Sequence, residues 1–298
     1  DELVNKANRE DILKKNEILK DVLDEMLDAG VKGLYHLNKE ELNLSMDATV
    51  DGIHPNDLGM HEYARSYEHK LRGILREPKG EVITQKPVIQ WRDYQVYDWK
   101  KRHDYLLDGK MKQQGKVNVV IGNSIIHFFG GNDSEINRGG KSWNKYMDKN
   151  ALLNYSYGWD RIENVLWRIY HDELEGLDID HLFLFIGTNN LGINTNEEIL
   201  QGISFLVEAI QRRRPEVKIV LIGILPRRNT EDRINQINQG IKDISNNLSV
   251  DFVDFGNQFL NESGKIEEKY FSDGLHPSES GYKILGKSFD LYLNSVNK

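Results

Sequence analysis

Five apolar runs of strand length constrain this chain more than any other feature of its sequence. They read "VNVVIG" (117–122), "LLNYS" (152–156), "HLFLFIG" (181–187), "KIVLIGIL" (218–225) and "VDFVDFG" (250–256). A half-exposed strand would alternate apolar with polar residues, whereas an unbroken apolar run fits a parallel strand covered on both faces. The intervening stretches carry helical periodicity. Ile199, Ile203, Leu206 and Ile210 share one face, as do Ile234, Ile237, Ile241, Ile244 and Leu248. Thr195 with Glu198 three residues later predicts a capping box at the start of the first of these helices. Strands alternating with helices predict an α/β fold, a three-layer α/β/α sandwich on a five-stranded parallel sheet with right-handed crossovers, over 81–298. Ligands of such sheets bind beyond the carboxyl ends of the strands.

Residues 1–80 lack this alternation and instead repeat the end of the chain. "DGIHPNDLG" at 51–59 returns as "DGLHPSESG" at 273–281. Before each copy lies a helical stretch, "NREDILKKNEILKDVLDEML" against "NTEDRINQINQGIKDISNNL", and then a strand-like run, "GLYHL" against "VDFVDF". The expected elements of 1–80 are a helix from Asp11 to about Ala29 stopped by Gly30, a strand, the "DGIHP" loop, and a helix to about Leu75. This is a copy of a domain's final third, joined to the rest by a linker at 76–87, "REPKGEVITQKP". Asp51 and His54 align with Asp273 and His276, yet no serine motif precedes them, so they form a dyad without a nucleophile. The chain opens at Asp1 rather than Met, and the expectation is a tandem protein whose first unit has lost its N-terminal part. Docking of 1–80 on the following domain, or homodimerisation, is then expected. The alternative is that His54 serves a site completed by another chain.

Composition narrows the function. Apolar residues are 39% and charged residues 29% of the 298, which excludes wholesale disorder. A net charge of -8 argues against nucleic acid or anionic membrane as partner. The run Arg212–Arg213–Arg214 before Pro215 reads as a solvated helix end. With no cysteine, disulfides, thiol nucleophiles and cysteine-ligated zinc are all removed, and the nine histidines show no metal-ligand spacing. No cofactor is expected. No apolar run approaches the roughly 20 residues of a membrane helix; the compartment stays open, with export favoured over cytoplasm.

Ester hydrolysis through an acyl-enzyme needs a nucleophile, a base, a group that orients the base, and donors for the oxyanion. Ser124, in "VVIGNSII" after the first strand, places a hydroxyl at the sheet's carboxyl edge. His276 is the candidate base, and Asp273 on the same loop can fix its tautomer. Asn189, in "FIGTNN" after the third strand, offers a side-chain amide to the oxyanion, and backbone N–H groups at Ser124 and at Gly158 and Trp159 can complete the hole. Asn123, Trp159 and Asn190 are candidate substrate contacts, with the Trp159 indole either a platform for sugar or acyl group or a packed surface aromatic. His127 reads as a helix residue packed below the turn. The glycine-rich 128–143 reads as a rim loop, and Trp91, Tyr94, Tyr97, Trp99 and Tyr105 as packing or docking aromatics that also suit carbohydrate.

"LNYSYGWDRIENVLWRI", "FIGTNNLG", "IVLIGILPR" and "SDGLHPSESGYKIL" give residues 115–298 a resemblance to the SGNH (GDSL-type) hydrolases, and within them to esterases of the platelet-activating-factor acetylhydrolase group. The resemblance implies a flavodoxin-like fold, metal-free acyl-ester hydrolysis, a Ser124–Asp273–His276 triad, and an oxyanion hole from the Ser124 N–H, a 158–159 N–H and Asn189. Two positions depart from the family pattern. Asn123 replaces the usual Asp before the serine, and Trp159 stands where a glycine usually precedes an Asp. Ile126 in place of a second glycine separates the motif from the α/β-hydrolase elbow. The expected function is a serine esterase removing short acyl groups, acetyl above all, from a small-molecule or oligosaccharide ester. A phospholipid acetyl ester or a thioester is the alternative substrate, and a degenerate, glycan-binding hydrolase the alternative class. A flavodoxin-type redox carrier would need a phosphate-cradling loop after the first strand, which is missing.

Overall fold

A computed structural model describes residues 6–92, 97–131 and 136–296. The chain divides into two compact units, Asp1–Pro78 and Lys79–Lys298.

In the first unit, helix α1 (Lys6–Asp28) is followed by Gly30 at φ +81, a left-handed position that suits glycine and stops the helix. The short α2 (Lys39–Leu42) starts at an Asn38–Glu41 capping box. Helix α3 (Asp57–Leu75) is capped by Asn56, whose Oδ1 accepts the Gly59 N–H at 3.0 Å. The expected strand at 33–37 does not form. A strand needs a neighbour to take its N–H and C=O groups, and among the described residues this unit has no other.

In the second unit, α4 (Trp99–Lys110) leads into β1 (Val117–Gly122), followed by the one-turn α5 (Ser124–His127) and α6 (Ser142–Tyr146). Then come β2 (Leu152–Asn154), α7 (Ile162–Tyr170), β3 (Ile179–Phe185), α8 (Asn196–Arg213), β4 (Lys218–Ile222), α9 (Glu231–Leu248), β5 (Asp251–Val253) and α10 (Glu279–Val296). All pairings are parallel in the order β2-β1-β3-β4-β5, with Val120 opposite both Asn154 and Phe183. Because successive side chains point to opposite faces, β1, β3 and β4 feed two cores. Val119, Ile121, Leu182, Leu184, Ile219 and Leu221 meet the apolar faces of α7, α8 and α9. Val120, Phe183, Phe185, Val220 and Ile222 meet α5, α6 and α10. This is the three-layer sandwich, and the capping box at Thr195 and Glu198 is present on α8.

Two expectations need correction. Residues 79–87 belong to the second unit: Thr84 is fully buried and its hydroxyl donates to the Glu198 carbonyl at 2.6 Å, so the supposed linker packs on α8. Arg213 and Arg214 are largely buried; Arg213 pairs with Glu175, and Arg214 donates to the Leu177 carbonyl at 2.6 Å. They cap the loop before β3 rather than dangling in solvent. Among the described residues, no helix is long and apolar enough to cross a membrane.

Candidate active site

The strand order reverses between β1 and β3, so the chain leaves their carboxyl ends in opposite directions and opens a crevice there. Ser124 follows β1 at this point. Asn123 caps α5 by accepting the Ile125 N–H at 3.0 Å, which sets Ser124 as the first residue of a helical turn with an unspent N–H. A β-carbon at Gly122 would lie 2.9 Å from the Phe185 carbonyl, so this tight exit from the strand requires glycine.

The fold brings His276 to Ser124 from 152 residues away, with Nε2 2.8 Å from the serine Oγ. His276 Nδ1 lies 2.7 Å from Asp273 Oδ2. A carboxylate only accepts, so Nδ1 carries the proton and Nε2 faces the serine as an acceptor. Partial burial would raise the Asp273 carboxyl, but the N–H groups of His276 and Leu275 and the imidazole outweigh it and hold the acid below the usual carboxylate range. Gly274 at φ +82 shapes the loop. Tyr282 at the start of α10 ties it down, its hydroxyl donating to the Ile125 carbonyl at 2.9 Å.

Residues 156–160 form the opposite wall. Trp159 sits at φ +64, the left-handed region where a glycine would be free of strain. Its neighbours hold it there. The Gly158 N–H donates to His127 Nδ1 at 2.9 Å, and the Gly158 carbonyl accepts from Gln90 at 2.9 Å and Tyr97 at 2.8 Å. Asn189 donates one amide hydrogen to the Asp160 carbonyl at 2.9 Å, which leaves its second hydrogen for a ligand. No described residue takes the Trp159 N–H.

Three expected contacts are placed elsewhere. Gly158 has already spent its N–H on His127 and has no donor to offer. Asn190 is fully buried, accepting the Ile162 N–H at 3.1 Å and donating to Glu163 and Asn194, so it anchors the loop after β3 rather than meeting substrate. Asn123 is buried by its capping role. The Trp159 indole stacks with Tyr97, meets Phe128 edge-on, and carries the Arg92 guanidinium 3.5 Å from its ring centre. It is a wall with a cation against it, not an open sugar platform. Of the other aromatics, Trp91 is exposed, Trp99 is buried and Tyr105 is exposed; Tyr94 lies outside the described residues.

Sequence reasoning missed the charges beneath this wall. Asp160, Arg168 and Glu173 are fully buried; Arg168 Nε lies 2.9 Å from Asp160 and Nη1 pairs with Glu173. Trp99 and Gln90 each donate to Asp160 at 2.8 Å, and Tyr157 donates to Glu173 at 3.1 Å. The available signal was "VLWRI", where an arginine interrupts an apolar helix face.

His127 completes the support. Burial, with help from Arg102 and Arg168, depresses its pKa to about 2, so it stays neutral and keeps accepting from Gly158. Its folded pKa lies below that of a free imidazole, so its contribution to stability is present above about pH 6.5 and declines as the pH falls below that. Replacing His127 with Leu removes that acceptor and is expected to lower kcat about tenfold by loosening the wall. Steady-state kinetics beside a melting curve measure it; an unchanged kcat in a folded variant contradicts the role.

Asn189→Ala is expected to cost roughly 100- to 1,000-fold in kcat with little change in KM, the usual loss for one oxyanion donor. A KM effect alone would assign Asn189 to ground-state binding.

Two models of the GDSL-like lipase/acylhydrolase family match the chain, one over residues 120–284 and one over residues 1–72. The chain is 29% identical over 195 residues to platelet-activating factor acetylhydrolase IB subunit alpha2 of Rattus norvegicus, covering 63% of this chain and 80% of that protein. It is 28% identical over 185 residues to the human alpha1 subunit, covering 60% and 75%. Among solved structures, a GDSL-like lipase from Bacteroides thetaiotaomicron superimposes with a TM-score of 0.54 at 16% identity, over 65% of this chain and 98% of the other. A platelet-activating-factor protein from Streptococcus pneumonia gives 0.56 at 23% identity, over 65% and 92%. The sheet order, the layers and the family match agree: the chain belongs to the GDSL-like lipase/acylhydrolase family.

Proposed function

We propose that this chain is a serine esterase that removes acetyl groups from a polar, carbohydrate-type alcohol through an acyl-enzyme. The carrying observation is the 2.8 Å approach of Ser124 Oγ to His276 Nε2, with Asp273 behind the imidazole. In this reading the serine oxygen attacks the ester carbonyl as its proton passes to Nε2. The oxyanion takes hydrogen bonds from the N–H groups of Ser124 and Trp159 and the free hydrogen of the Asn189 amide. Collapse breaks the acyl–oxygen bond, and His276 returns the proton to the departing alcohol. Water then attacks the acyl-enzyme, giving its proton to Nε2, and acetate leaves as the serine is reprotonated.

Acetyl is supported by the names of the relatives, which are acetylhydrolases. A polar alcohol is supported by the guanidinium groups of Arg92 over Trp159 and of Arg138, 4.6 Å over Phe128; the Phe128 ring itself lies 5.6 Å from that of His276. The same names favour a second substrate, an acetylated glycerophospholipid. Turnover of acetylated oligosaccharides, an acetylated glycerophospholipid, and p-nitrophenyl acetate and octanoate should separate these. Acetate over octanoate by at least roughly tenfold is expected, with the sugar esters preferred to the phospholipid. Preference for the phospholipid selects the second substrate. No Ser124-dependent turnover of any ester defeats the enzyme reading and leaves a glycan-binding module.

A further inference from the structure

The loop that carries Asp273 and His276 holds its own shape, as the first unit shows. Residues 51–54 there make the same internal bonds as 273–276. Asp51 Oδ1 accepts the N–H groups of Ile53 and His54 at 3.0 and 2.8 Å, the distances that Leu275 and His276 make to Asp273. Each imidazole Nδ1 lies 2.7 Å from its carboxylate, and Gly52 and Gly274 have φ of +83 and +82. These bonds set Asp273 against His276. They do not set where the pair stands relative to Ser124, which follows β1 and is 152 residues from His276 in sequence. A contact of 2.8 Å between the two requires the loop to be fixed to the sheet.

Arg228, on the segment that leaves β4, makes that attachment. Its main-chain N–H donates to the Gly274 carbonyl at 2.9 Å, and its Nη1 donates to the Asp273 carbonyl at 3.2 Å. A β-carbon at Gly274 would lie 2.6 Å from the guanidinium carbon, so the group rests directly on the glycine. Glu268 holds the other side of the fork, with Nε donating to Oε1 at 2.8 Å and Nη2 to Oε2 at 2.7 Å. A bidentate pair of this kind fixes the plane of the guanidinium as well as its place. Glu268 opens the single turn Glu268–Tyr270, which is tied to the far end of the loop: the Lys269 carbonyl accepts from the Ser278 hydroxyl at 2.9 Å, and the Tyr270 carbonyl from the Ser278 N–H at 2.9 Å. One guanidinium therefore joins the exit of β4 to both ends of the loop. Its use is not strength, since the two side chains are 48% and 57% exposed and an ion pair in water adds little to stability. The first unit has neither partner. Aligning Asn8–Asp11 with Asn229–Asp232 puts Ala7 where Arg228 stands, and aligning Asp51 with Asp273 puts Met46 where Glu268 stands. The loop keeps its shape there without them, so shape is not what the pair provides.

We propose that Arg228, held in plane by Glu268, is a positioning residue of the esterase. It fixes the Asp273–His276 pair relative to the sheet, so that Nε2 stays within reach of the Ser124 hydroxyl. Tyr282 ties the same loop from the other side, through the Ile125 carbonyl of the serine turn. The proposal rests on the serine-esterase reading and adds to it a group that touches neither the reacting atoms nor the substrate.

The test is the kinetics of Arg228→Ala on p-nitrophenyl acetate, at temperatures well below its Tm. A kcat about 10- to 100-fold lower is expected, the usual loss when a reacting group is misplaced by up to an ångström. KM should stay within about twofold, because no substrate contact is removed. Tm should barely move, as befits an exposed pair. Arg228→Lys should recover only part of the loss, because an ammonium cannot hold Glu268 and the Asp273 carbonyl in one plane. In a His276→Ala background, Arg228→Ala should cost nothing further, since the loop then has no base to place. A residue that served the fold alone would cost the same in both backgrounds. Undiminished kcat for Arg228→Ala overturns the proposal, as does an equal loss in both backgrounds. A raised KM at full kcat overturns it too, by making Arg228 a substrate contact. Glu268→Gln removes the charge that holds the fork, and gives the same readings at smaller amplitude should Arg228→Ala not fold; an unchanged kcat there is equally decisive. A wild-type chain without Ser124-dependent turnover sinks the esterase reading itself, and the role of Arg228 falls with it.

Discussion

Ser124→Ala is expected to lower kcat by about four to six orders of magnitude, with His276→Ala giving a loss of the same order and the double variant scarcely worse than either. The non-additivity follows from the geometry. Ser124 Oγ has His276 Nε2 as its partner, so removing either group removes the same event, proton transfer coupled to attack. In the proposed mechanism the oxyanion donors are the backbone N–H groups of Ser124 and Trp159 and the Asn189 amide, and they survive both substitutions. Residual activity over the uncatalysed rate is therefore expected. Asp273→Asn should cost about 10⁴-fold, because an amide can present N–H to Nδ1 and stabilise the wrong tautomer. His127, the other imidazole near the site, has its pKa pressed to about 2 and stays a neutral acceptor for the Gly158 N–H. Pre-steady-state and steady-state kinetics on p-nitrophenyl acetate measure all of this. Turnover by Ser124→Ala within tenfold of wild type would refute the nucleophile.

The sheet was legible because a strand buried on both faces has to be apolar throughout, and five such runs stood between amphipathic helices. The order in which they pair was not, since the same runs could be threaded in several ways and only the positions of crossovers decide. Ser124 could be picked out at the end of a predicted strand, and Asp273 and His276 as residue types suited to acyl transfer on one loop near the end of the chain. The donors beside them were harder to place. Gly158 and Trp159 are equivalent in a backbone-donor argument until His127, 31 residues away in sequence, takes one of the two N–H groups. Asn189 and Asn190 are adjacent and identical in chemistry, yet one turns to the crevice and the other into the core. The strand at 33–37 failed for a different reason: its composition is right, but a strand is a property of a pair. Thr84 was hidden in a stretch with no periodicity because a single buried residue on an irregular segment leaves no pattern.

Arg168→Met is expected to destabilise the C-terminal unit by about 3–5 kcal/mol, the cost of breaking a buried ion pair from one side. Methionine fills much of the volume, so the loss is electrostatic rather than a cavity. Asp160 and Glu173 would remain fully buried with their guanidinium gone. For a unit of this size the change corresponds to a fall in Tm of roughly 10 °C. The sign of its pH dependence follows from Asp160. Burial raises that carboxyl to about 7 even against Arg168, and without the arginine it must rise further. A raised folded pKa means that the folded state binds the proton more tightly than the unfolded chain, so protonation favours folding. The deficit of the variant relative to the wild type should therefore be largest above its own raised pKa and shrink as the pH falls toward about 7, below which Asp160 is protonated in both folded proteins and the difference stays constant. Arg168→Lys should rescue only in part, because one ammonium cannot present the fork that meets Asp160 through Nε and Glu173 through Nη1. Function is tied to the same charge. Asp160 follows Trp159 in the chain, its carbonyl holds Asn189, and its carboxylate is gripped by Trp99 and Gln90 as well as by Arg168. Loosening it releases both the left-handed Trp159 and the amide opposite, so kcat should fall at temperatures well below the lowered Tm. A variant that melts early but turns over at the full rate in the cold would separate the two and show that the buried charges hold the fold without holding the oxyanion wall.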